Sequence, residues 1–296
     1  MSSASEPVYL VDSSIYIFRA YFSMPDTFRA ANGESVNAVY GYTSFLLDLL
    51  DRSPQFISCA FDESLNTCYR NTIYPEYKAN RELPDANLEY QLAQCQRVTA
   101  LMGIHGLALK DYEADDIIGT LQKKLAADRQ AIIVTRDKDL GQLLGPEDQL
   151  WDFAADDVMG PQEVRAKFGV EAAQIADYLA LAGDTVDNIP GAPGIGAKTA
   201  ASLLNHFGSI DDLYARIEEV ETIGIRGAKK AQQTLIDNEA LIRMYRSITG
   251  IHCDIEIDLS LDDLTLSRVD AVDMATFCEE MNFGQRVRQR LAALSD

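Results

Sequence analysis

Histidine is nearly missing from this 296-residue chain, with three copies, and cysteine is sparse, with five. Cys59, Cys68, Cys95, Cys253 and Cys278 are odd in number and widely spaced, so they offer neither a disulfide framework nor the paired spacing of a zinc site. They read as reduced, mostly buried thiols. No apolar run approaches membrane-spanning length, and the opening Met-Ser-Ser-Ala-Ser-Glu-Pro lacks the basic-then-apolar pattern of a leader. A soluble, monomeric protein of the cytoplasm with no membrane attachment is the expectation. Positive charge is also in deficit: 26 Lys and Arg against 46 Asp and Glu give a formal net charge of -20. On its face that disfavours a polyanionic partner, whose binding is driven by Lys and Arg neutralising phosphates. A binding face is local, however, and carboxylates occupied by cations do not repel a phosphate.

What the chain has in quantity is aspartate at the ends of apolar runs. Val8-Tyr9-Leu10-Val11 ends on Asp12, Phe56-Ile57-Ser58-Cys59-Ala60-Phe61 ends on Asp62, and Ala131-Ile132-Ile133-Val134-Thr135 leads through Arg136 to Asp137 and Asp139. Short runs rich in Val, Ile and Phe, separated by helical stretches, read as parallel strands, and ligands bind at the carboxyl ends of such strands in open α/β sheets. Helical patterns fall at 38–50, 88–102 and 114–125. Beyond residue 170 they dominate, at 172–181, 197–206, 227–245 and 274–294, with a short extended piece near Ile255. The pattern predicts an α/β domain followed by a helical one, and 47% hydrophobic residues can fill both cores. No repeat at a solenoid period and no low-complexity tract appears.

Two further acidic groups lie between these elements. In Asp111-Tyr112-Glu113-Ala114-Asp115-Asp116-Ile117-Ile118, a helix starting near Glu113 puts Glu113 and Asp116 on one face. Acids in a first turn also suit the helix dipole, so the segment alone leaves metal binding and simple dipole compensation open. In Gly183-Asp184-Thr185-Val186-Asp187-Asn188-Ile189-Pro190, Asp184 and Asp187 sit three apart, on a helical turn or in an Asx-turn loop. Together these positions make nine carboxylates: Asp12, Asp62, Glu113, Asp115, Asp116, Asp137, Asp139, Asp184 and Asp187. So many in one place are destabilising without cations. Oxygen-only ligands select Mg²⁺ or Mn²⁺. Two such ions about 3.5–4 Å apart suit phosphoryl-transfer chemistry.

The glycine-rich Pro190-Gly191-Ala192-Pro193-Gly194-Ile195-Gly196-Ala197-Lys198-Thr199-Ala200 fits neither the P-loop, because Ala197 separates Gly196 from Lys198, nor GxGxxG, because Thr199 replaces the last glycine. It reads as a glycine hairpin opening a helix, whose backbone N–H groups suit a phosphate. The tyrosine-basic stretch 67–81 reads either as a surface for phosphates and unpaired bases or as an ordinary solvated helix.

The ordered set Val11-Asp12-Ser13-Ser14, Phe61-Asp62, Tyr77-Lys78-Ala79-Asn80-Arg81, Glu113-Ala114-Asp115-Asp116, Asp137-Lys138-Asp139-Leu140 and Gly183-Asp184 through Lys198-Thr199 resembles the bacterial 5′→3′ exonuclease/flap endonuclease family. That family includes the N-terminal nuclease domain of DNA polymerase I. The resemblance runs from about residue 8 to 252. It implies a PIN-like parallel-sheet α/β nuclease core over 1–172, with a helical arch at about 64–96. It also implies a helical, helix-three-turn-helix DNA-binding domain over 173–296, with its glycine hairpin at about 183–208. The expected activity is hydrolysis of DNA phosphodiesters at 5′ flaps, 5′ overhangs and branched duplexes, by two metal ions, in replication and repair. By motif, Asp12, Asp62, Glu113, Asp115 and Asp116 are expected near a first metal, with Asp137, Asp139, Asp184 and Asp187 completing a second. Lys78 and Arg81 match positions that act on the scissile phosphate. Arg70, Tyr77, Gly191, Gly194, Gly196, Lys198 and Thr199 are the expected DNA contacts. Mg²⁺, with Mn²⁺ substituting, is the implied cofactor, and K⁺ is implied at the glycine hairpin. Two departures stand out: Ser13 and Arg136 each replace a usual glycine.

Two other classes compete. A non-catalytic DNA-junction binder of the same fold would be expected to lose ligands, and all nine are present. A small-molecule Mg²⁺ phosphatase would need neither hairpin nor arch. An RNA-directed nuclease is closer, because sequence does not reveal tolerance of 2′-hydroxyls.

Overall fold

The protein is described here by a computed structural model covering residues 5–63, 68–81 and 85–295. Six strands form one sheet: β1 (Val8–Asp12), β2 (Phe56–Phe61), β3 (His105–Ala108), β4 (Ala131–Val134), β5 (Gln149–Asp152) and β6 (Asp157–Met159). Their spatial order is β3-β2-β1-β4-β5-β6, parallel throughout except for the antiparallel β5–β6 pair at the edge. β1 and β4 occupy the middle. Their side chains alternate between faces: Val8 and Leu10 join one apolar layer, Val11 the other.

The layers are set by the connecting helices. α1 (Ser13–Ser23), α2 (Asn37–Leu50) and, after the short α3 (Tyr69–Ile73), the long α4 (Ala86–Leu101) meet on one side around Tyr42, Leu46 and Val98. On the other side α5 (Ala114–Leu125) lays Ile117, Ile118 and Leu121 against the sheet. α6 (Pro161–Phe168) then leads into a helical unit: α7 (Ile175–Ala182), α8 (Ala197–Phe207), α9 (Ile210–Ala215), α10 (Ala228–Asp237) and α11 (Glu239–Thr249).

Four sequence expectations change. The helix expected over 227–245 breaks at Asn238, whose φ of −117° leaves the helical range and whose amide caps Thr234 O at 2.8 Å. That over 274–294 splits into α12 (Ala271–Glu280) and α13 (Gln285–Ala292) around left-handed Asn282. Residues 250–295, expected in the helical domain, return to the sheet domain. They do so first as an irregular strap, with Ile255 N–H on Thr120 Oγ1 at 3.3 Å and Ser267 N–H on Gly103 O at 2.8 Å. α12 and α13 then bury Met274, Phe277, Val287 and Leu291 in the layer around α2. Finally, residues 86–96 of the expected arch belong to α4, which packs Leu88, Cys95 and Val98 inward, and residues 64–67 and 82–84 of that arch lie outside the described residues. Among the described residues no helix is long and apolar enough to cross a membrane.

Candidate active site

Carboxylates from five separate segments meet over the carboxyl edge of the sheet. Asp12 ends β1, and the register of β1 on β2 pairs it with Ala60, two residues before Asp62. Asp12 caps α1 through Ile15 N–H and accepts from Thr135 Oγ1 at 2.9 Å. Asp62 accepts from Ala114 N–H at 2.8 Å, which ties it to the start of α5, while its own N–H donates to Ser14 Oγ at 3.0 Å. Beyond β4, Thr135 Oγ1 accepts from Asp137 N–H and Asp137 Oδ1 accepts from Asp139 N–H, each at 2.9 Å. Thr135 escaped the sequence reading. Its one hydroxyl orients acids on two strands, and its only signal was its place between a strand and an aspartate.

The fifth segment follows α7. Asp184 and Ile189 exchange two backbone hydrogen bonds of 2.7 Å, and Asp184 Oδ1 accepts from Val186 N–H at 2.9 Å. It is thus the Asx-type loop rather than the helical turn. It still delivers Asp184 to a carboxyl–carboxyl contact with Asp139, and Asp187 to the tyrosine-basic segment.

Crowding leaves a titration signature. Burial, then Asp62 and Asp137, pushes Asp12 up to about 7. Burial, then Asp137, Asp184 and Asp187, pushes Asp139 up to about 8. Asp62, Asp115, Asp137 and Asp184 are also raised, by burial first and neighbouring carboxylates next. Glu113 behaves oppositely. Burial pushes it up, but Lys78 and Arg70 outweigh burial and hold it below the usual carboxylate range.

The counter-charge comes from the segment around α3. Lys78 Nζ pairs with Glu113 and, at 3.8 Å, with Asp187; Arg81 donates to Asp187 at 2.8 Å. Lys78 holds a φ of 54°, a strained value for a non-glycine residue, and its N–H donates to Asp187 O at 3.1 Å. Its desolvation is outweighed by Glu113 and Asp187, so it stays charged.

Three expected roles are corrected by this geometry. Arg70 is 2% exposed, with its guanidinium on Glu113, Asp116, Ile248 O and Gly250 O, so it is no DNA contact. Asp116 is fully buried. Its oxygens accept from Arg70 twice at 2.7 Å, from His252 N–H at 2.8 Å and from Glu113 N–H at 3.1 Å, which leaves no lone pair aimed at the cleft for an ion. Tyr77 is 4% exposed, with its hydroxyl on Glu113 and Asp187, each at 2.9 Å, so its ring is not available to a base. The two departures are also placed. Ser13 is buried and accepts from Tyr42 OH at 2.9 Å, and Arg136 pairs with Asp152, outside the nine acids.

Among the described residues no three of these acids already stand at the spacing of a shared ion, several being engaged by the bases and N–H groups above. The donor set itself fits hard divalent cations. It is all oxygen, half-buried to buried, mutually repelling and free of His and Cys.

Beside the acids, the glycine segment makes a tight crossing. Gly183 and Gly191 have φ of 86° and 73°, and a Cβ on Gly191 would stand 2.4 Å from Gly183 N, so only glycine lets the two backbones touch. Gly194 and Gly196 face open space, and Gly196 leads into α8 with Lys198 exposed and Thr199 half-buried.

The sequence model described as the 5'-3' exonuclease N-terminal resolvase-like domain matches residues 7–169, and that of the 5'-3' exonuclease C-terminal SAM fold matches 170–272. The chain belongs to the 5'-3' exonuclease family. The 5'-3' exonuclease of Buchnera aphidicola (Schizaphis graminum) is 33% identical over 89% of this chain and 92% of its own length. That of Aquifex aeolicus is 32% identical over 95% and 94%. DNA polymerase I of Rhizobium leguminosarum is 33% identical over 95% of this chain, which spans only 28% of that protein. Among solved structures, zinc-bound T5 5'-exonuclease has the same fold, with a TM-score of 0.69 at 18% identity over 97% of both chains. The catalytic core of Rad2 in complex with DNA substrate follows, at 0.65 and 15% over 98% of this chain and 92% of that one. The exonuclease-family fold here is therefore a resolvase-like sheet domain joined to a SAM-type helical domain.

Proposed function

We propose that this member of the 5'-3' exonuclease family is a structure-specific, divalent-metal-dependent nuclease. It cuts DNA at 5′ flaps and 5′ ends and leaves 5′-phosphates, in replication and repair. The observation that carries the reading is the convergence of Asp12, Asp62, Asp115, Asp137, Asp139 and Asp184 on one cleft where each pKa is raised, a cost that bound cations would relieve. Two Mg²⁺ ions, with Mn²⁺ able to substitute, would supply an activated water and a clamp for the leaving oxygen. Those six carboxylates would hold them, with Glu113 and Asp187 free to join once Lys78 and Arg81 turn to the substrate.

The chain's own groups divide the remaining work. Lys78 and Arg81 neutralise charge developing on the scissile phosphate. The hairpin Gly191–Gly196, with Lys198, Thr199 and a K⁺ ion, takes a duplex phosphate without reading sequence. Specificity then follows DNA shape. The test is cleavage of a 5′-labelled flap beside matched single-stranded DNA and RNA flaps, in Mg²⁺, Mn²⁺ and EDTA. Metal-dependent cutting near the junction supports the reading; tight binding without cutting in either metal would replace it with a junction-binding role.

A further inference from the structure

Residues 248–252, where the helical unit hands the chain back to the sheet domain, are gripped from three sides. Arg70 donates to Ile248 O at 2.8 Å and Gly250 O at 3.1 Å. Gln142, in the 3₁₀ turn Asp139–Leu143, donates through Nε2 to Thr249 O at 3.1 Å and accepts from Ile251 N–H at 3.0 Å. Asp116 accepts from His252 N–H at 2.8 Å. Each gripping side chain also touches a residue of the acidic cleft. Arg70 reaches Glu113 Oε2 at 3.0 Å, Asp116 accepts from Glu113 N–H at 3.1 Å, and Gln142 Nε2 reaches Asp139 O at 3.1 Å.

The same segment is fixed to the helical unit. Thr249 Oγ1 donates to Ala176 O at 2.8 Å, and Arg246 pairs with Asp177 of α7, the helix that runs into Asp184 and the glycine hairpin. A peptide in an irregular segment has no ladder partner, so its N–H and C=O rely on side chains. Gln142 serves both groups at once.

We infer that residues 248–252 couple the helical unit to the cleft, so that a duplex seated on α8 sets the positions of Glu113 and Asp139, with Gln142 as the positioning residue of that link. The inference rests on the nuclease reading above. Gln142 touches no reacting atom; it acts through Asp139 and the 249–251 turn. Its removal leaves both peptide groups unpartnered and loosens the link on the Asp139 side, while Arg70 and Asp116 still hold the segment.

Gln142→Met keeps the side-chain length and removes all three bonds, to Asp139 O, to Thr249 O and from Ile251 N–H. The first readout is amide hydrogen exchange with a blunt DNA duplex and no divalent metal. In the wild type the duplex is expected to slow exchange at 197–207 and also at 113–118; in Gln142→Met only the first region should respond. The second is saturating cleavage in Mg²⁺ of a 5′ flap and of matched single-stranded DNA. The flap rate should fall about tenfold in the variant while KM and the single-strand rate hold. Gln142→Glu, which keeps the acceptor for Ile251 N–H, should fall between and serves if the methionine variant does not fold. Equal losses on both substrates, or protection at 113–118 that survives in the variants, would overturn the coupling. A wild-type protein that binds no duplex and cuts neither substrate would instead overturn the nuclease reading itself.

Discussion

Glu113 and Asp139 belong to one cleft, on a compensated and a strained flank, and are treated oppositely by it. Glu113 sits among Arg70, Lys78 and the Tyr77 hydroxyl, and folding makes its ionised form easier to hold. Asp139 sits among Asp137, Asp184 and Asp187, and folding makes its ionised form harder to hold. The difference separates charge that the chain neutralises with its own side chains from charge left for an external cation. It also separates acids that hold the fold together from acids that strain it.

The sharpest way to break this contrast is to remove an acid from the strained flank. Asp139→Ala should lower the single-turnover cleavage rate by about 10³-fold or more, while gel-shift affinity for a flap in EDTA is retained. A wild-type rate would remove Asp139 from the metal site. On the compensated flank the loss should appear in stability instead. Asp116→Asn leaves the buried Arg70 with Glu113 as its remaining carboxylate partner and should cost on the order of 3 kcal/mol in urea unfolding. A change below about 1 kcal/mol would mean the Arg70 clasp is not structural. Lys78→Ala lies between the two, with kcat expected down about 10²-fold and affinity changed much less; a pure affinity loss would make Lys78 a positioning contact.

The smallest effect is on pH. Folding raises Asp12 to about 7 and Asp139 to about 8, well above the ordinary aspartate range, so between roughly pH 4 and pH 8 the folded metal-free protein keeps protons that the unfolded chain has released. Its stability therefore falls as pH rises through that window. Melting in EDTA should drop from pH 5 to pH 8, Mg²⁺ should restore it at pH 8, and Asp139→Asn should flatten the slope by a few degrees, about 2–4 °C per kcal/mol. A slope unchanged in Asp139→Asn would place the strain elsewhere.

Strand ends were legible because a buried parallel strand is a continuous apolar run and the residues after it are unavoidable: Asp12 and Asp62 close their runs directly, and Asp137 follows its run after Arg136. Distance in sequence hid the rest. Nothing in Tyr69-Arg70-Asn71 announces that Ile248 and Gly250, some 180 residues on, would enclose the arginine, so an interior residue resembled a surface one. Asp116 misled for the reason that α5 begins with three acids alike in type, and only the fold decides which face inward. β5 and β6 are too short and too polar at Asp152 and Asp157 to separate from loops. The α12–α13 break depends on a left-handed Asn282, and asparagine within a helical pattern is only a weak signal of it.

The return of residues 250–295 to the sheet domain has a consequence for synthesis. α12 and α13 close the layer around Tyr42, Leu46 and Leu49, so that layer stays uncovered on one side until residue 291 has left the ribosome. Between the last strand and that moment the whole helical unit must be made, a delay on the order of ten seconds at bacterial elongation rates. The earliest part of the molecule to be translated is thus among the last to be sealed.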